Sequence, residues 1–188
     1  VKNEARNRLM KDYPEDPDAK KLLAKIKPST AGTTSGSAEV GQPFELEFSD
    51  AITGSTVSIK GLKGKVVVVD FWATWCGPCV AEMPKMKELY AKYKDQGVEF
   101  IGVSLDQSEA QGGLKALRAF VEKNQIGWPQ YYQGNFWDSA YSKSLGINSI
   151  PRVFIVDAEG KLHSTEARGK LEKLIPELLE KAKSGPKG

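Results

Sequence analysis

The stretch Val66-Val67-Val68-Val69-Asp70-Phe71-Trp72-Ala73-Thr74-Trp75-Cys76-Gly77-Pro78-Cys79 decides the fold of this chain. Its nearly unbroken apolar start is typical of a strand buried on both faces of a sheet. Residues 78–94 then carry apolar side chains at helical spacing, and a second apolar run follows at residues 98–105. A buried strand, a helix and a second buried strand in this order predict a right-handed βαβ unit.

Both cysteines of the chain, Cys76 and Cys79, lie where the predicted strand passes into the helix. This spacing lets the two sulfurs close a small disulfide ring with little backbone movement. Cys76 would begin the helix, where free amide N–H groups favour a thiolate, so we expect it to be the nucleophile. Cys79 would lie about one turn deeper, shielded from water, and would resolve the mixed disulfide. Gly77 and Pro78 would shape access to Cys76 and the redox potential.

Two other uses of a cysteine pair fit the sequence less well. A closed zinc site needs four ligands, but the chain has only one histidine, His163, and no third cysteine. A purely structural disulfide would close a very short loop and constrain the unfolded chain little. Redox exchange is therefore the predicted chemistry, with neither a metal nor a cofactor.

Composition indicates one globular unit with an extension. With 188 residues, 40% of them hydrophobic, the chain can bury one sizeable core. The net charge of +3 comes from 27 basic and 24 acidic residues without a basic block, which argues against nucleic-acid binding. No stretch approaches the roughly 20 apolar residues of a membrane helix. The sequence starts at Val1 rather than Met, which leaves room for a signal or membrane tether upstream.

The sequence pattern divides the chain into three segments. Residues 1–27 are predicted as a helical arm, with a helix start signal at Asp16-Pro17-Asp18. Residues 28–38, rich in Ser, Thr and Gly, lack periodicity and are predicted as a flexible linker. Residues 39–188 form the predicted globular domain. The arm would serve as a spacer, or dock on the domain or on a partner.

The chain resembles the thioredoxin superfamily, and more closely its TlpA/ResA-like branch of exported thiol-disulfide oxidoreductases, which is related to the AhpC/TSA redoxins. The resemblance covers about residues 39–183. Besides the dithiol stretch, its motifs are Val40-Gly41-Gln42-Pro43-Phe44, Leu62-Lys63-Gly64-Lys65-Val66, Glu82-Met83-Pro84, Leu145-Gly146-Ile147, Ile150-Pro151 and Val153-Phe154-Ile155-Val156-Asp157. It implies a thioredoxin-like three-layer α/β fold with a central mixed β-sheet, an N-terminal β-hairpin and an inserted helix at residues 114–124, to which the helical arm is added.

Two acidic residues accompany the dithiol. Burial in an apolar strand should raise the pKa of Asp70, and the resemblance places this acid beneath Cys79, where it would accept the thiol proton. The alternative is an aspartate that caps the strand end. Glu82 would share a helical face with Cys79, and ResA-like proteins also carry an acid there, although a solvated helix face explains it equally well. Such proteins usually have Asn in place of Asp70, so the division of labour between the two acids is left open.

The resemblance also implies a substrate-binding side. Ile150-Pro151 matches the family's cis-proline, which presents the backbone of Ile150 to an extended substrate segment. Arg152 would favour acidic substrates or steady a thiolate, or else be a solvated strand residue. Trp75 is expected in an exposed apolar collar, and Trp72 is expected to flank the site as well. His163 is interpreted as structural. Four further aromatic residues are expected to fill the core or cover the inserted helix: Trp128, Tyr131, Phe136 and Trp137.

The predicted activity is reductive thiol–disulfide exchange, because Gly77-Pro78 is the pair found in thioredoxin, whose potential of about −270 mV is strongly reducing. The resemblance implies exported protein disulfides as substrates, an apocytochrome c among them, a membrane dithiol carrier as electron donor and an extracytoplasmic location. One alternative is a thioredoxin-like peroxidase, against which Ala73 argues, because those enzymes carry Thr or Ser three residues before the reactive cysteine. The other is a redox-responsive adaptor that docks a partner through the arm.

Overall fold

The computed structural model describes residues 38–185. The predicted arm and nearly all of the predicted linker lie outside these residues, so both stay predictions. None of the described helices is long and apolar enough to cross a membrane. The elements are β1 Glu47–Ser49, β2 Thr56–Ser58, β3 Val66–Trp72, α1 Gly77–Tyr93, β4 Val98–Ser104, α2 Gly113–Lys123, β5 Gln130–Tyr132, α3 Ala140–Ser144, β6 Arg152–Val156, β7 Leu162–Ser164 and α4 Leu171–Ser184. Single 3₁₀ turns lie at Lys60–Leu62, Lys94–Gln96, Glu109–Gln111 and Phe136–Asp138.

A mixed five-stranded sheet forms the centre of the domain, with strand order β5-β4-β3-β6-β7. The middle strand, β3, runs parallel to β4 and antiparallel to β6. All seven of its residues are buried, as its apolar sequence predicted. The predicted βαβ unit is therefore present as β3, α1 and β4.

Helices cover both faces of the sheet. Neighbouring residues of β3 point to opposite faces. The Phe71 ring stacks on Tyr141 of α3 with centroids 6.4 Å apart, whereas the Trp72 ring lies 5.3 Å from Phe120 of α2. The sheet thus lies between two helical layers, and the predicted inserted helix is one of the elements that cover it.

The predicted N-terminal hairpin is present but starts later than expected. The alternation of apolar and polar side chains at residues 44–48 predicts a first strand there. The strand that pairs antiparallel with β2 is instead β1, Glu47–Ser49. Phe44 and Leu46 are nevertheless buried, and the Phe44 ring packs edge-on against Phe154. The alternation thus indicated correctly which side chains are buried, whereas backbone pairing set the strand bounds.

In the sequence, Pro176 predicts either a kink in the last helix or a late start of that helix, and the late start is wrong. Helix α4 begins at Leu171 and continues through the proline to Ser184. Leu171 and Ile175 are buried before the proline, and Leu178 and Leu179 after it. Burial of this apolar face offsets the backbone hydrogen bond that Pro176 removes.

Candidate active site

Cys76 and Cys79 form a disulfide with an S–S distance of 2.04 Å and Cα atoms 5.3 Å apart. Cys76 is the N-cap residue of α1, and its Sγ accepts a hydrogen bond of 3.3 Å from the Cys79 N–H. The start of the helix therefore aims an amide N–H at the sulfur of Cys76. Such a donor stabilises negative charge on that sulfur when the disulfide is open.

The two cysteines are almost equally buried in this oxidised form. Cys76 is 4% exposed and Cys79 is 3% exposed, so burial does not distinguish a nucleophile from a resolving thiol. Gly77 and Pro78 between them are exposed, and no heavy atom outside the neighbouring residues lies within 4 Å of the position a Cβ would take at Gly77. The two cysteines differ in position, because Cys76 is the N-cap residue of α1 and Cys79 lies in its first turn. Their predicted roles as nucleophile and resolving thiol stay predictions.

Asp106 holds the loop that leads into Cys76. This residue is 1% exposed and follows the end of β4. Its carboxylate accepts hydrogen bonds from the Thr74 N–H at 3.0 Å, the Thr74 hydroxyl at 2.6 Å and the Ser104 hydroxyl at 2.6 Å. Sequence reasoning missed Asp106, although an acid directly after a buried apolar run was a signal comparable to that of Asp70.

The same loop gives the peroxidase alternative no support. The position three residues before Cys76 is the fully buried Ala73, which has no hydroxyl group. The nearest hydroxyl along the chain, on Thr74, donates to Asp106.

Asp70 lies within β3, with Gly102 of β4 and Val153 of β6 as its neighbours across the sheet. It is 6% exposed. The pKa of its carboxyl is raised to about 7, mainly by burial and also by the negative charge of Glu82, while the positive charge of Arg168 acts in the opposite direction. The predicted rise of the pKa is confirmed. The alternative, a cap at the strand end, is wrong because Asp70 is paired on both sides.

Glu82 forms an ion pair with Arg168, which comes from the turn before α4. The Arg168 Nε lies 2.9 Å from the Glu82 Oε1, and the Arg168 Nη2 contacts the same oxygen. Both side chains are roughly half exposed, at 40% and 49%. Glu82 is therefore not simply a solvated residue of a helix face. The sequence offered no local signal for Arg168, because 86 positions separate the partners.

The Ile150-Pro151 peptide bond is cis, as the resemblance implied. Pro151 directly precedes β6, whose first residue, Arg152, lies opposite Phe71 of β3. Because β3 ends one residue later and leads to Cys76, the proline lies at the same edge of the sheet as the disulfide.

Arg152 is neither a free cation nor a fully solvated residue. Its Nη2 lies 2.7 Å from the Glu166 Oε1, and its side chain is 35% exposed. Its charge is therefore already paired within the domain, which weakens the expectation that it attracts acidic substrates or steadies a thiolate.

Trp75 is 43% exposed and belongs to a cluster of three aromatic rings, here named the aromatic patch: Trp75, Phe136 and Trp137. The Trp75 ring lies 4.9 Å from Phe136 and 5.9 Å from Trp137, and the last two rings are 5.8 Å apart. The Trp75 Nε1 donates to the Leu105 carbonyl, which satisfies the indole N–H internally. An exposed Trp75 was predicted and is confirmed.

Other expectations about aromatic residues were wrong in part. Phe136 and Trp137 are partly buried, and they pack on Trp75 beside the dithiol instead of filling the core. Trp72 is fully buried, and its Nε1 donates to the Gln130 Oε1 at 3.0 Å. The strand alternation turns its ring towards the helical layer that contains α2. Trp128 and Tyr131 are buried, as expected.

Within residues 38–185, no group of three or more His, Cys, Asp or Glu side chains could hold a metal ion. His163 lies in β7 with an exposed side chain.

Comparison with known proteins agrees with this geometry. The Redoxin family matches residues 39–178. The chain is 32% identical to the thiol-disulfide oxidoreductase ResA of Bacillus thuringiensis subsp. konkukian, over 76% of this chain and 78% of that protein. Two solved structures from Bacteroides vulgatus are similar. One is a candidate thiol-disulfide oxidoreductase, 34% identical, with a TM-score of 0.61 over 77% of this chain and 94% of that one. The other is the thioredoxin domain of a thiol-disulfide oxidoreductase. It is 28% identical, with a TM-score of 0.56 over 76% of this chain and 99% of that one.

Proposed function

Because the chain belongs to the Redoxin family, as a ResA-like thiol-disulfide oxidoreductase with a thioredoxin-like fold, we propose that it reduces disulfides of other proteins. Dithiol–disulfide exchange is the chemistry of this family, and the reducing direction and the substrates are our proposal. The observation that carries it is the Cys76–Cys79 disulfide, closed at the N-cap of α1 at the edge of the central sheet.

We propose Cys76 as the nucleophile. In the reduced protein, its thiolate attacks one sulfur of a partner disulfide, forms a mixed disulfide with that sulfur and expels the other as a thiolate. The hydrogen bond from the Cys79 N–H to the Cys76 Sγ supports this choice, because the same donor would stabilise the attacking thiolate. The expelled thiolate takes a proton from water.

Cys79 then resolves the mixed disulfide. Its S–H bond breaks and its sulfur attacks the Cys76 Sγ. The partner sulfur that was bonded to Cys76 leaves as a thiolate, which is protonated in turn. Two electrons have passed from the dithiol to the partner, and the protein is left in its disulfide form. We propose Asp70 as the acceptor of the Cys79 proton, because a carboxyl with a pKa of about 7 exchanges protons readily near neutral pH.

The direction of electron flow is tested by the midpoint potential of the Cys76–Cys79 couple, measured by equilibration with dithiothreitol or glutathione. We expect a value of about −250 mV or lower, close to that of thioredoxin, which has the same Gly-Pro pair between its cysteines. A value near about −120 mV, as in a strong oxidant, would show that the protein forms disulfides instead of reducing them.

We further propose that the aromatic patch and the backbone at Ile150-Pro151 hold the substrate chain beside its disulfide. Trp75 directly precedes Cys76, so a protein that reaches this sulfur must also approach the exposed ring. The Phe136 N–H donates to the Asp106 carbonyl, which ties the patch to the residue that positions the dithiol loop. Aromatic rings held in this way offer contact area at a small entropic cost.

A truncation within the patch tests this docking role. Trp137→Ala should lower kcat/KM for a protein disulfide such as insulin about tenfold, the loss expected for a binding residue of moderate weight. Its rate with oxidised glutathione should change little, because a small disulfide does not need the patch. Ile52→Ala, at an exposed apolar side chain in the β1–β2 turn, is the matched control and should affect neither substrate. Equal losses with both substrates would mean that Trp137 supports the dithiol instead of docking a protein.

The resemblance to ResA-like proteins extends the proposal to partners and location. We propose exported proteins as substrates, with an apocytochrome c as one candidate, a membrane dithiol carrier as the electron donor and an extracytoplasmic site of action. Partner proteins that a Cys79→Ser variant traps as mixed disulfides in its host cells test this extension. Cytoplasmic proteins among them would contradict it.

A further inference from the structure

A surface cavity of about 190 Å³ lies between α1, β6 and the beginning of α4. Its wall includes Val153, the neighbour of Asp70 across the sheet, and the apolar side chains of Met86, Leu89 and Leu171. Paired residues on neighbouring strands project to the same face of a sheet. The cavity therefore lies on the face to which Asp70 points.

Two ion pairs line this cavity, Glu82 with Arg168 and Lys85 with Glu172. They bring two cations and two carboxylates close together, but only the first pair acts on Asp70. Glu82 raises the pKa of Asp70 and Arg168 lowers it, whereas the second pair has no such effect. From the elements around Asp70, the ionised groups that face it are thus Glu82 on α1 and Arg168 before α4. Its sheet neighbours, Gly102 and Val153, carry no charge.

The resolving step needs one proton acceptor, and the site contains two carboxyl groups. Glu82 lies only three residues after Cys79 on α1, so its position in the sequence makes it the nearer candidate. Its carboxylate, however, accepts from two nitrogens of a guanidinium group. The Glu82 carboxylate is thus held by charge-assisted hydrogen bonds to Arg168, whereas burial raises the pKa of Asp70 to a value at which its carboxyl can exchange a proton near neutral pH.

We propose that Arg168 is a positioning residue of the exchange reaction: its guanidinium engages the Glu82 carboxylate in an ion pair, so that the proton of the Cys79 thiol passes to Asp70. This inference rests on the proposed function, because it assigns roles within the same resolving step. The Cys79 S–H bond breaks, the proton binds an Asp70 oxygen, and the sulfur's electron pair attacks the Cys76 Sγ and displaces the partner thiolate.

The test follows the resolving step directly. Reduced protein is mixed with dithiobis-nitrobenzoate, from which attack by Cys76 releases one coloured thiolate and resolution by Cys79 releases a second. The rate of the second phase is measured against pH. We expect Arg168→Gln to move its midpoint upwards by about one pH unit and Glu82→Gln to move it downwards by a similar amount. Arg168→Lys, which keeps the charge, should stay close to the unmodified protein.

Opposite shifts in the two variants distinguish an electrostatic role from a structural one, because a loosened site would move both midpoints the same way. Lys85→Gln is the matched control, since it removes a cation from the same cavity and should leave the midpoint unchanged. Carbon NMR of the Asp70 carboxyl in the oxidised variants should show the same opposite shifts without depending on turnover.

The outcomes separate this inference from the proposed function. Shifts in one direction only, or no shift in either variant, would overturn the role of Arg168 while leaving the exchange activity established by the two phases. Absence of the second phase in the unmodified protein would overturn the proposed function, and the role of Arg168 with it.

Discussion

Cys76→Ser is expected to abolish disulfide exchange, with a loss of more than about a thousandfold, because a serine hydroxyl cannot form the mixed disulfide that begins the reaction. Cys79→Ser should behave differently. Its Cys76 thiolate, at the N-cap of α1, still attacks the partner, but no second sulfur is present to resolve the product. This variant should accumulate a stable mixed disulfide that can be seen by mass spectrometry under non-reducing conditions.

Each cysteine variant serves as the control for the other, because both lack the same internal disulfide and therefore share any loss of stability. If Cys76→Ser traps the partner while Cys79→Ser remains unreactive, the proposed roles are reversed. The proteins that Cys79→Ser links in its host cells also identify the substrate class, and exported proteins with cysteine pairs are expected among them.

Asp70→Asn is expected to stabilise the oxidised protein at alkaline pH and to slow the resolving step. The pKa of this carboxyl is about 7 in the folded protein, against an ordinary value of 3.8. Between these values the folded protein holds a proton that the unfolded chain has released, so the free energy of unfolding falls as pH rises through this window. The difference of about 3 pKa units lowers the free energy of unfolding by about 4 kcal/mol once Asp70 is ionised, above a pH of about 7.

Denaturant unfolding of the oxidised protein near pH 5 and near pH 8 measures this effect. Asparagine removes the ionisation, so the variant should be the more stable protein at the higher pH, by up to about 4 kcal/mol, with a smaller gain at the lower one. The second phase of the exchange reaction should slow by about a hundredfold, because the proton acceptor is lost.

Asp157→Asn is the matched control for stability. Asp157 and Asp70 are equally exposed at 6%, but the Asp157 carboxylate accepts backbone N–H groups from Glu159 and Lys161. Replacing it should therefore bring no gain at alkaline pH. Equal stability of Asp70→Asn and the unmodified protein near pH 8 would show that ionised Asp70 bears no burial penalty.

The dithiol and the strand beneath it could be read from the sequence because the relevant signals are local. The apolar run of Val66–Trp72, the cysteine spacing and the proline in the first helical turn all act within one strand or one turn. The same signals placed Asp70 in an apolar strand and indicated that its pKa would rise. The sequence predicted the ends of strands less well, because backbone pairing with a neighbouring strand sets them. The shifted start of β1 is an example.

The partners of these residues were decided by the tertiary structure. Asp106 reaches Thr74 across 32 positions, and Arg168 reaches Glu82 across 86. Phe136 and Trp137 were expected to fill the core or cover the inserted helix, but both pack on Trp75. Hydrophobic periodicity indicates which side chains are buried, but it does not specify which distant segment covers them. The sequence by itself thus determined the cysteine pair and the buried acid, whereas strand order and loop packing decided which charges and rings surround them.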